Sequence, residues 1–82
     1  MSPNNYLVYL YRAIAKYSLA DYKGAIDDLD ITIRMHPSDG AFYYRGMAHM
    51  QLKHKTMGCA DLNQSASMGN AVAETEVKKY CK

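Results

Sequence analysis

The constraint that most limits this chain is an internal repeat. The stretch from Tyr11 to Leu29, YRAIAKYSLADYKGAIDDL, aligns without a gap on Tyr44 to Leu62, YRGMAHMQLKHKTMGCADL, with every matched pair 33 positions apart. Tyr11 matches Tyr44, Arg12 matches Arg45, Ala15 matches Ala48, Leu19 matches Leu52, Asp28 matches Asp61 and Leu29 matches Leu62. The register continues with Thr32 opposite Ser65 and Met35 opposite Met68, and small residues recur as Ala13 with Gly46 and Ala25 with Gly58. A period of this length marks a supersecondary unit that buries its apolar face by stacking on its neighbours.

Each copy reads as two helices. Leu7, Leu10, Ile14 and Tyr17 recur at helical spacing until the pattern breaks at Ala20 and Asp21, where Asp21 can cap a second helix. That helix carries Ala25, Ile26, Leu29, Thr32 and Ile33 on one side, and the pattern assigns Asp27, Asp28 and Arg34 to the other. His36-Pro37-Ser38-Asp39-Gly40 ends it, since proline has no N–H and pushes the residue before it out of helical geometry. Ser38 or Asp39 then caps a third helix, a fourth is expected over about 56–68, and Gly69-Asn70 supplies a left-handed stop followed by a cap. A last helix, about 71–81, places Ala73, Val77 and Tyr80 on one face and a Glu74–Lys78 pair on another. The expected fold is all-α: one domain over 1–82, made of two antiparallel helix-turn-helix repeats (about 6–37 and 39–70) and a C-terminal capping helix, stacked as a short right-handed α-solenoid.

These residues resemble the tetratricopeptide repeat family. The segment ADYKGAIDDLDITIRMHPSD carries the closest likeness, with Tyr22, Ala25, Leu29 and Pro37 at the family's aromatic, alanine, large apolar and terminal proline positions. Tyr-Arg-Ala and Tyr-Arg-Gly, at Tyr11 and Tyr44, resemble the small-residue motif of its first helix. The second copy departs from the pattern, with His54-Lys55 in place of Asp21-Tyr22 and Gly69-Asn70 in place of His36-Pro37, and is similar to the Sel1-like repeats. Pro3-Asn4-Asn5 resembles the tail of an earlier repeat.

The resemblance implies a non-enzymatic scaffold or adaptor whose first helices line a concave groove for a peptide or helix of another protein. Residue by residue it nominates Leu10, Ile14, Tyr17 and Ser18 from the first copy and Tyr43, Met47, Met50 and Gln51 from the second. Each of these serves equally well as a core position. The alternative implication is a self-associating subunit, or the end of a longer array, through the apolar flank of Tyr6, Leu7, Val8 and Leu10. The family's carboxylate-binding subtype uses cationic groove residues, and these positions are mostly apolar here.

Other chemistries find little purchase in the residues. The net charge is +2 with charges dispersed, which does not suit nucleic-acid binding. No apolar run approaches a bilayer span, and no signal-peptide pattern is present, so a cytoplasmic protein with no membrane partner is expected. His36, His49 and His54 show no ligand spacing, no metal or cofactor is expected, and no phosphate loop or nucleophile elbow occurs. Asp27, Asp28 and Asp30 are expected to form a solvated face. Cys59 and Cys81 are too few for a disulfide framework and suit a reducing compartment, Cys59 as inert packing and Cys81 near a free end.

Overall fold

The computed structural model describes residues 5–81. Pro3 and Asn4, two of the three residues that resemble an earlier repeat's tail, lie outside the described residues. Five helices follow one another: α1 (Tyr6–Ser18), α2 (Tyr22–Met35), α3 (Asp39–Gln51), α4 (Lys55–Ser67) and α5 (Ala71–Tyr80). Among the described residues there is no strand. The fold is all-α, as the periodicity requires, and each helix packs on the next, with α1 also touching α3.

The helix starts are set by short polar side chains that take up otherwise unpartnered N–H groups. Asn5 accepts from the Leu7 N–H, Asp21 from Gly24, Ser38 from Ala41 and Asn70 from Ala73, at 2.9–3.3 Å. Ser38 is therefore the cap of α3, and Asp39 is its first residue. His54, which stands where Asp21 stands in the first repeat, makes no capping bond to α4. The turn inside each repeat passes through one left-handed residue, Ala20 (φ 63°) and then Lys53 (φ 67°), at positions 33 apart. Gly69, with φ 100°, ends α4 where a side chain would be strained.

Small residues set the helix spacing. Ala13, Ala25, Ala41, Ala48 and Ala73 are fully buried together with Leu29 and Leu62. In the second repeat the α3–α4 crossing is glycine against glycine. A Cβ on Gly46 would lie 3.0 Å from the Gly58 carbonyl oxygen and one on Gly58 would lie 2.6 Å from the Met50 sulfur. These pairs, Ala13–Gly46 and Ala25–Gly58, are those the alignment placed at close helix approaches.

Two expectations from the sequence are corrected. Asp28 is not on a solvated face: it is buried at 3% exposure, and Arg12 and Lys16 of α1 close on its carboxylate. Cys59 and Cys81 are not free thiols but a disulfide, with Cα atoms 5.6 Å apart, joining the first half of α4 to the residue that ends α5. Antiparallel packing of α4 on α5 brings the start of one beside the end of the other, a proximity the separation of 22 residues conceals.

Candidate functional site

The first helices of the repeats carry the nominated residues, and the structure sorts them into two groups. Leu10 and Tyr17 pack against the core of Ala13, Ala25, Leu29 and Ala41. Ile14 is half-buried and Ser18 is exposed. In the second repeat Met47, Met50 and Gln51 line one open cavity of about 280 Å³, and Tyr80 of α5 forms its far wall. The sequence places Tyr80 on one face of the last helix with Ala73 and Val77 but not at the site, although Ile14, Met47 and Tyr80 are spaced 33 apart at one repeat position.

An aromatic cluster links the two groups. Tyr17 meets Tyr22 and Tyr44 edge-on at 5.3 and 5.7 Å between ring centres, and Tyr43 meets Tyr44 at 5.3 Å. Such edge-to-face pairs favour one ring arrangement over others, which keeps the surface in a defined shape. Burial holds the Tyr17 and Tyr43 hydroxyls above the usual phenol range, so both remain neutral donors at physiological pH. The site thus offers rings, thioethers, an amide and hydroxyls, with no cation at its centre.

Arg12, Lys16 and Arg45, the Lys and Arg side chains of α1 and α3, are engaged elsewhere. Arg12 Nε and Nη2 each donate to Asp28 at 2.8 Å, and Arg45 Nε and Nη2 donate to Asp61 at 2.8 and 2.9 Å. Both pairs span 16 residues, so the same bidentate clamp recurs in each repeat and ties its first helix to its second. Arg45 Nη1 also donates to Asp30 at 2.9 Å, which ties the repeats to each other. Sequence reasoning aligned Arg12 with Arg45 and Asp28 with Asp61 without pairing them, although their shared spacing was the signal.

These contacts give the fold a two-step acid dependence. His49 is held below its ordinary value of 6.5, first by burial, while its Nδ1 lies 3.2 Å from that of His54. The unfolded chain binds that proton more readily, so stability is complete above about pH 6.5 and falls as the pH drops below it. Asp28 is held below its ordinary 3.8, first by the hydrogen bonds from Arg12, and its contribution is lost as the pH falls below that value. Urea midpoints should therefore decline in two limbs; His49→Gln should remove the upper limb and Asp28→Asn the lower. A midpoint unchanged from pH 7 to pH 5 would refute the His49 assignment.

Among the described residues, no group of three or more His, Cys, Asp or Glu side chains is placed to hold a metal ion, and no helix is long and apolar enough to cross a membrane. No family model, curated protein or solved structure matches this chain.

Proposed function

We propose that the chain is a non-enzymatic protein-interaction module of the tetratricopeptide type, a scaffold or adaptor that receives an apolar peptide or helix of another protein between α3 and α5. The observation that carries this reading is the cavity walled by Met47, Met50, Gln51 and Tyr80 beside the Tyr17–Tyr44–Tyr43 cluster. Flexible thioethers and large aromatic rings are the side chains that contribute most to adaptable contact surfaces. Arg12, Lys16 and Arg45 are held by carboxylates, which leaves apolar contact as the driving force. The cytoplasmic setting expected from the sequence belongs to the same proposal. In a reducing cytoplasm the Cys59–Cys81 pair would stand as thiols, and the bridged form belongs to an oxidising environment.

A peptide library displayed on phage and selected on the immobilised chain tests the reading. Apolar sequences should be enriched, and their NMR shift changes should centre on Met47, Met50 and Tyr80. Added salt should change their affinity little, because screening acts on exposed charges and hardly on buried apolar contacts. Tyr43→Ala combined with Met47→Ala should weaken binding by at least about 1 kcal/mol while the helical signal persists. Enrichment of acidic peptides released by moderate salt would overturn the mechanism. A doubled solution mass, with the same residues protected, would favour the self-associating subunit instead.

A further inference from the structure

Because the two repeats correspond position by position, each residue of α1 has a counterpart on α3 whose surroundings are fixed by the fold. Arg12 and Arg45 are alike in all but one contact. Each grips the aspartate 16 residues ahead, and each lies over an aromatic ring at the same repeat position, Tyr9 at 5.4 Å and Phe42 at 5.6 Å. The difference is Nη1. On Arg45 it donates to Asp30 of the preceding α2, whereas among the described residues no carboxylate meets Nη1 of Arg12. The Arg12 side chain is accordingly 53% exposed against 23% for Arg45.

The apolar residues around Arg12 show the same asymmetry. Ala41 and Ala48 of α3 are fully buried, while their counterparts Val8 and Ala15 are half-buried and exposed. Tyr44 packs against the core, while its counterpart Tyr11 is 63% exposed. On this side α3 is packed by the helix before it, α2, and among the described residues α1 has no helix before it. Val8, Tyr11, Arg12 and Ala15 fall at i, i+3, i+4 and i+7, a single stripe, and its small Ala15 permits close approach of another backbone.

We propose that this stripe of α1 is a docking site for an amphipathic helix of a partner protein, one that lays apolar residues over Val8, Tyr11 and Ala15 and presents a carboxylate to Arg12 Nη1. The contact α2 makes with α3, including Asp30 to Arg45, is the template within the same chain. A second copy of this chain is a poorer occupant, because its α2 is already packed between its own α1 and α3 with Asp30 bound to Arg45. The stripe is separate from the α3–α5 cavity, and the two sites stand or fall independently.

The probe is a synthetic peptide with the α2 sequence, YKGAIDDLDITIRM, held helical by a lactam between the solvent-facing Lys23 and Asp27. Titrated into the whole chain, it should bind one to one and shift the amide resonances of Tyr11, Arg12 and Ala15. The same peptide carrying Asp30→Asn should bind about fivefold more weakly, the effect of losing one surface ion pair. Ala15→Glu changes an exposed position, so the chain should keep its helical signal and lose the peptide. Absence of saturable shifts on α1, equal affinity for the Asn peptide, or shifts at Met47 and Tyr80 instead would each overturn the proposal. So would a doubled mass without peptide, with Tyr11 and Ala15 buried by a second copy.

Discussion

Arg45→Met is expected to destabilise the chain by about 3 kcal/mol, near the lower end of the range for breaking a buried ion pair. The change leaves Asp61, 8% exposed, with a charge and no guanidinium, and it removes the Asp30 link between repeats. Methionine restores most of the lost volume, so the loss reports the stranded carboxylate and not a cavity. Adding Asp61→Leu to the same chain should recover at least half of it, because replacing both members of a pair is far less costly than removing one. The corresponding change at Arg12 should cost less, since that side chain is half exposed and Lys16 also reaches Asp28, at 3.1 Å. Urea unfolding of the four chains measures these differences. A loss below about 0.5 kcal/mol for Arg45→Met would mean that water reaches Asp61 and that the clamp does not hold the repeats together.

Reduction of the Cys59–Cys81 bridge is the second large change expected. A closed loop of this size restricts the unfolded chain by about 3 kcal/mol. Only Ala73 of α5 is fully buried, and Val72 and Tyr80 are about half exposed, so little else fastens that helix. The loss should therefore appear locally: amide exchange across α5 should quicken by about a hundredfold on reduction, while α2 and α3 change far less. Cys59→Ser should reproduce the effect without reductant. Tyr80 would leave the cavity with the helix, so apolar peptides selected on the oxidised chain should bind the reduced one more weakly. Unchanged α5 exchange on reduction would show that packing alone secures the helix.

The fold was legible in the sequence wherever periodicity and punctuation agreed. Asp21, Pro37, Gly69 and Asn70 act where their backbone chemistry dictates, and the 33-residue register placed the small residues at the helix crossings. Asp28 lies inside although its residue type favours a solvated face, because its helical position outweighs its chemistry. Ala25, Asp28, Leu29 and Thr32 follow i, i+3, i+4, i+7 and are all buried, as are Gly58, Asp61, Leu62 and Ser65. Periodicity put the aspartates inside, and an arginine from the neighbouring helix makes that position tenable. The disulfide was hidden because pairing depends on distance between helices, which a single spacing does not encode. Of the candidate site, the second-repeat residues Met47, Met50 and Gln51 do converge, whereas Leu10 and Tyr17 pack against the core that Ala13, Ala25, Leu29 and Ala41 form between α1, α2 and α3.

The position of the bridge also decides how the chain would yield to a pull on its two ends. Stacked helix pairs let go one after another, each lengthening the tether as it unravels. With Cys59 joined to Cys81, tension passes from the start of α4 directly to the end of α5 and bypasses everything between them. At about 3.5 Å per extended residue, the 22-residue separation withholds roughly 70 Å of reach. An oxidised chain drawn out by its termini would stop short by that length, with its last helix still lying on α4, and a reductant in the bath would release the remainder.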